Sequence, residues 1–451
     1  MLDDPTGLPK PLTDPDAAAA WEATQRAFLA HGAATPDHLG RTLAAAPDFA
    51  VGHAAKGLFY LLLGRAELLP TAHAAYTSAK LCAEEPRCLA YVEVLEHYLN
   101  GRLAAAAKGL DAILARWPGD TLAMKLAHQI YFVRGDAKGM RASLEAALPG
   151  FGPDHPMRGY FLGCTAFALE ETGDYRAAEA AGRAGLEINT DDAWGLHAVA
   201  HVHDMTGRAD AGVRWLTDRT GQWEHCNNFG FHVWWHLALF HLDKGNFGAV
   251  LDLYDRRIRC SPTDDYRDIA NAASLLLRLE LEGVDVASRW EELADLAQTR
   301  IDDGQVIFAD LHYMLALVRS DRAAEAERLS ARIARDAQRL DHDQHEVAAI
   351  AGLPAARGLC AFRAGENAQA VDALEQALGQ LQRVGGSHAQ RDVFWRLTVE
   401  AAIRAGALGR AEGLLRRRAS ERGAEDGYTA RTMARIANLR TDLSAGGVAA
   451  Q

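Results

Sequence analysis

Apolar and polar residues along this chain are grouped as in a succession of short helices. The two-residue alternation of half-buried strands is absent and β-branched residues are sparse. One local phrase keeps returning: a helical stretch that ends in glycine plus a polar or charged residue, followed by an alanine-rich helix. It reads LLGRAELL at Gly64, LNGRLAAA at Gly101, VRGDAKGM at Gly135, ETGDYRAAEAA at Gly173, MTGRADAG at Gly207 and DKGNFGAVLDLYD at Gly245. Successive glycines stand 37, 34, 38, 34 and 38 residues apart. A glycine at each turn can adopt the left-handed conformation that ends a helix, which a Cβ would penalise.

That spacing brackets the period of about 34 residues of tetratricopeptide repeats. One helix pair cannot bury its apolar faces alone, so such units stack into a superhelix with a concave surface. Further on, the stretches 264–283, 304–329, 363–385 and 404–420 keep the helical texture but lose the register. The expected fold is all-α: a tetratricopeptide-like superhelix of antiparallel helix pairs closing around a central pocket. Residues 1–13 read as an irregular arm, 14–260 as the regular repeats, 261–442 as divergent helical repeats and 443–451 as a flexible tail.

Composition narrows the function classes. With 451 residues, 49% apolar and 24% charged, the chain is a globular protein and not a disordered one. A formal charge of −12 argues against nucleic acid or an anionic membrane as partner. Six scattered cysteines, without CxxC pairs, fit single buried thiols in a reducing compartment. The N-terminus lacks the basic and apolar regions of a signal peptide, and no apolar run is long enough to span a bilayer. A cytoplasmic location is expected.

Candidate chemistry lies in WGLHAVAHVHDMTGR (194–208) and FHVWWHLALFH (231–241). Residues four apart share a helix face, so His197 and His201 project together, as do His232 and His236, with Asp204 on the face of the first pair. These pairs sit one repeat apart on first helices, which line the concave wall, so they could converge on one point. His197, His201, Asp204 and His236 are the candidate catalytic residues, a near-neutral imidazole being oriented by a carboxylate. His232, Trp194, Trp235, Asp310, His312, Arg391 and Asp392 are candidate ligand-binding residues, the arginine suiting an anion. No cofactor is required. A divalent metal such as zinc, if bound, would take His197, His201, His232 and His236 as ligands. HExxH is absent, as are the dinucleotide, P-loop and GxSxG signatures. Ser387 and Gln390 read as a capping box.

Taken together, AWGLHAVAHVHDMTG, NNFGFHVWWHLALFHLDKGNF, LEGVDVASRW (281–290), DLHYMLAL (310–317), AGLPAARGL (351–359) and GGSHAQRDVF (385–394) resemble the tetratricopeptide repeat protein 38 family. The resemblance implies an all-helical repeat fold inside the cell and brings no reaction with it. The positions that match are His197, His201, His203 and Asp204, then His232, Trp235 and His236. The functional expectation is a His/Trp/Asp-rich pocket that binds, and in an extended form of the reading transforms, a small polar or anionic molecule or a peptide end. The alternative is a non-catalytic scaffold that takes a peptide from a protein partner in its groove, with a homodimer also open.

Overall fold

The computed structural model describes residues 12–448, with side chains to residue 442. Residues 1–11 of the segment read as an arm, and 449–451 of the tail, lie outside the described residues. The closing helix, Gly427–Val448, runs past residue 442.

Among the described residues every regular element is helical, save one isolated antiparallel bridge between Gly32 and Cys226. Each glycine singled out by the sequence joins an antiparallel helix pair. Gly135 separates Thr121–Val133 from Ala137–Ala147, Gly173 separates Arg158–Glu171 from Tyr175–Ile188, and Gly207 separates Ala193–Met205 from Ala209–Thr217. All six have φ between +64° and +84°. Five of the six turns, all but the one at Gly64, share one hydrogen-bond pattern, in which the glycine N–H and the next N–H donate back into the preceding helix. Gly135 donates to the Phe132 carbonyl at 3.0 Å and Asp136 to that of Tyr131 at 2.9 Å, the bonds of a Schellman closure. The polar residue after the glycine then opens the next helix. Asp136 accepts from the Gly139 N–H at 2.8 Å and Asp174 from Ala177 at 3.4 Å. The recurring phrase is therefore one helix stop followed directly by one helix start.

The second half keeps this device where the sequence register is lost. Its pairs turn at Gly283, Asp321, Gly365 and Gly406, all with positive φ. The pattern escapes a search for glycine because Asp321 (φ 45°) takes one left-handed position, a conformation aspartate tolerates better than most residues. Wide helical turns at 254–258 and 348–352 and an extra short turn at 381–384 also stretch the spacing.

Helices of the two positions differ in burial. Second helices are amphipathic: Tyr175–Ile188 buries only Ala178, Gly182, Gly185 and Leu186, one stripe at helical spacing. First helices are buried nearly all round, as in Ala193–Met205, where only Asp204 is not buried. The cause is closure of the superhelix. The second half docks on the turns of the first, so first helices meet other first helices across the axis; Ala193–Met205 and Tyr266–Leu281 both pack against His388–Arg404. Polar ties run along the junction: Arg65 with Asp264, Ala104 N–H to Asp343, His388 N–H to Glu171, Arg422 with Asp204, and Arg431 to the Asp243 carbonyl. No helix among the described residues is long and apolar enough to cross a membrane. All six cysteines are free thiols, but only Cys164 is buried and Cys260 is exposed, which corrects the expectation of buried thiols throughout.

Candidate functional site

Closure leaves an axial cavity of about 650 Å³, within the range of small-molecule sites. Its wall is supplied mainly by first helices of both halves: Phe59 and Tyr60, Phe132, Phe167, Trp194 and His197, Phe229 and His232, Tyr266 and Arg267, Phe308, and Gln390. The helix Thr35–Ala45 borders it with Pro36 and Gly40, both exposed. Most of the wall is apolar or aromatic, and its polar groups include His31, His197, Asn228, His232 and Arg267 together with Lys56, Gln129, Asp268, Ser387 and Gln390.

The two histidine pairs converge. The Nε2 atoms of His201 and His197 lie 2.9 Å apart, those of His197 and His232 3.0 Å, and those of His232 and His236 3.3 Å. One ring nitrogen from each of the four falls within 4.8 Å of the others. The i, i+4 spacing stacks two imidazoles on each helix face, and the repeat places the second helix beside the first. Aromatic rings hold the imidazole planes, with Phe167 stacked on His197 and Trp235 on His232. His197 and His232 reach the cavity wall. His201 and His236 lie beneath them, fully buried.

Burial, reinforced by mutual repulsion, holds the His197, His201 and His236 imidazoles well below their ordinary range, and His232 is brought down to about 4. All four are neutral near pH 7. On their outer edges, His232 Nδ1 lies 3.1 Å from Asn271 Oδ1, and His201 Nδ1 lies 3.7 Å from Glu170 Oε2. Glu170 is fully buried. Desolvation, with the Glu171 and Asp204 charges nearby, pushes its carboxyl well above the usual range.

Other expected residues fall elsewhere. Asp204 does not orient an imidazole: its carboxylate accepts from Arg422 at 2.9 Å. Although Asp204 shares a face with His197, it stands roughly 10 Å further along the helix axis, and its carboxylate is taken by Arg422. Asp310 does not line the cavity; it pairs with Arg332 of the following helix. His312 is also off the cavity wall, with Nδ1 2.7 Å from the Phe308 carbonyl and its ring against Phe394. Asp310 and His312, two residues apart, cannot share a helix face. Arg391 pairs with Glu171 at 3.3 Å behind the wall, and Asp392 is held by Arg396 and Arg418 in a buried ion network. Trp235 backs His232 and does not reach the cavity, whereas Trp194 does. The capping box of Ser387 and Gln390 is formed, and both residues also border the cavity.

Sequence reasoning missed Glu170, Asn271, His31 and Lys125. His31 sits at a left-handed position (φ 57°), stacked between Trp194 and Phe229, with Nε2 3.2 Å from Lys125 Nζ. Lys125 is fully buried over the Trp194 ring, 4.7 Å from its centre, with no carboxylate at ion-pair distance among the described residues. Its signal was legible: one lysine within TLAMKLAHQIYFV, an otherwise nearly uncharged helix.

These features define the chain as an all-α helical-repeat superhelix of antiparallel helix pairs. No family model matches the sequence. Among solved structures it is similar to the tetratricopeptide (TPR) domain of P58(IPK), with 14% identity over 77% of this chain and 89% of that one and a TM-score of 0.22. It is also similar to the structure of Naa15/Naa10 bound to HypK-THB, with 15% identity over 93% of this chain and a TM-score of 0.25. The chain spans 65% of the length of that second structure's matched chain.

Proposed function

We propose that this protein binds a small amphipathic molecule in the axial cavity, its apolar body against the aromatic wall and its anionic or polar head at His31, His197, His232 and Arg267. One observation carries the reading. The polar wall of a cavity of about 650 Å³ at His31 and Trp194 is backed by Lys125, a buried cation without a carboxylate partner among the described residues. Burying an uncompensated charge is costly, and an anionic head beside it would offset that cost. Arg267 contributes less net charge because Asp265 already accepts from its guanidinium. Acid–base turnover has weaker support. A general base works best with a pKa near the working pH, these imidazoles are held far lower, and Asp204 is engaged with Arg422. Kinship with the tetratricopeptide repeat protein 38 family, proposed from the shared motifs, adds no reaction.

The test uses decanoate and decanol as matched probes, read by quenching of tryptophan fluorescence, since Trp194 borders the cavity. The carboxylate should bind at least about tenfold more tightly than the alcohol, a difference of about 1.4 kcal/mol. Lys125→Met should erase that preference while leaving the alcohol unaffected. Equal affinity for the two probes, or an unchanged preference in Lys125→Met, refutes the reading. The second reading, a scaffold for a peptide, a protein partner or a second copy of the chain, is supported by the repeat architecture. It becomes the preferred one if neither probe binds.

A further inference from the structure

We infer that His197, His201, His232 and His236 chelate one divalent transition-metal cation of the zinc class through their Nε2 atoms, beneath the floor of the cavity. The first argument is valence. An imidazole nitrogen has a single in-plane site, either an N–H or a lone pair. The four Nε2 atoms form a chain of contacts at 2.9, 3.0 and 3.3 Å, in which His197 Nε2 and His232 Nε2 each face two neighbours. Whatever the tautomers, at most two of these three contacts can be hydrogen bonds. The third contact then finds no hydrogen-bonding site left on one or both of its nitrogens. A cation among the four nitrogens uses every lone pair at once.

Geometry agrees. Metal–nitrogen bonds of 2.0–2.1 Å at tetrahedral angles put ligand nitrogens about 3.4 Å apart. Three of the six nitrogen–nitrogen separations, at 2.9, 3.0 and 3.3 Å, fall slightly inside that edge, and all six lie within 4.8 Å, so ring rotations would bring the set to a tetrahedron. Ligation through Nε2 leaves the proton on Nδ1, and the surroundings offer it a hydrogen-bond acceptor at His232, while Nδ1 of His197, His201 and His236 is buried without one. His232 Nδ1 faces the Asn271 side-chain oxygen at 3.1 Å, and His201 Nδ1 stands 3.7 Å from Glu170 Oε2, longer than a hydrogen bond, on a buried carboxyl whose oxygens have no hydrogen-bond partner among the described residues. Metal-bound histidines habitually present their second nitrogen to such acceptors. The stacked Phe167 and Trp235 rings fix the imidazole planes in advance.

Ligand type selects the ion. Four imidazoles without a carboxylate oxygen in the ring of donors exclude calcium and magnesium, and the absence of thiolate leaves the borderline ions that imidazole suits. Because all four ligands are neutral, the cation keeps its double charge beside the cavity. That would draw an anionic head toward His197 and His232, a consequence that rests on the cavity reading above; the metal site itself does not.

The experiment uses the full chain without a histidine tag, stripped with EDTA and reloaded with zinc or cobalt alone. One metal per chain is expected, with the visible absorption of tetrahedral cobalt and an X-ray absorption spectrum of nitrogen neighbours near about 2.0 Å with imidazole outer-shell scattering. The double variant His201→Gln/His236→Gln should lose the metal while keeping wild-type helical circular dichroism. The inference is overturned if the wild type takes up no metal, if the double variant retains it, or if the spectrum shows sulfur or fewer than three imidazoles. Should the variant fail to fold, the wild-type spectra alone decide. Metal retained without decanoate binding supports this site and overturns the cavity reading. Decanoate binding without metal does the reverse.

Discussion

Gly135 and Gly173 occupy the same place in successive repeats, yet replacing each with alanine should have unequal effects. Both have positive φ, +64° and +84°, so either alanine incurs the left-handed cost of roughly 1–2 kcal/mol. Around Gly173 nothing lies within 4 Å of an added Cβ, so that cost is all there is. At Gly135 the Cβ would sit 1.8 Å from the Gln382 carbonyl oxygen and 3.2 Å from Arg383 Cα. These are backbone atoms of the 381–384 turn, which cannot rotate aside, and overpacking of that kind adds about 1–3 kcal/mol. Gly173→Ala should therefore lose about 1–2 kcal/mol and Gly135→Ala about 2–5 kcal/mol. For 451 residues with an unfolding entropy of about 2.1 cal/mol/K each, 1 kcal/mol corresponds to a Tm shift of about 1 °C. Urea titration with calorimetry gives the ranking, and amide exchange gives the location, since only Gly135→Ala should raise exchange around residues 381–384. Equal destabilisation by the two variants, or no local change in exchange, would refute the docking of the second half on the turns of the first.

Two further outcomes follow from buried charge. Arg418→Met takes four hydrogen bonds at 2.5–3.0 Å from the Asp392 and Asp426 carboxylates, leaving Asp392 to Arg396 and Asp426 to the longer contacts of Arg396 and Arg422, and should cost about 3–5 kcal/mol by urea unfolding; a loss below about 1 kcal/mol would show that the network contributes little. Asp192 is raised by burial from 3.8 to about 7, so the stability it carries is whole below about pH 4 and is lost as pH rises toward 7. Asp192→Asn should therefore gain on the wild type by up to about 1.4 kcal/mol per pH unit across that window, and a pH-independent difference between the two midpoints would contradict the assignment.

Several features needed nothing beyond the chain's local order. A glycine followed by aspartate states where one helix stops and the next begins, because Schellman bonds and caps reach no more than about six residues. The i, i+4 histidines declare their shared face for the same reason, and the repeat period puts one pair beside the other. Four imidazoles of the site were therefore legible. Their surroundings were not. Asp204 shares the histidine face in projection, but Arg422, more than two hundred residues away, decides its partner. Glu170 belongs to the preceding repeat and reads as an ordinary last-turn acid until closure buries it beside His201. Asp310, Arg391 and Asp392 looked available for a ligand and are consumed by ion pairs within the helices around them. Local hydrogen bonding fixes each hairpin, whereas a small rotation accumulated over every repeat determines whether the superhelix closes and which helices meet across its axis. Only that long-range sum, settled by packing between residues far apart in sequence, turns two histidine pairs into a buried cluster under a cavity.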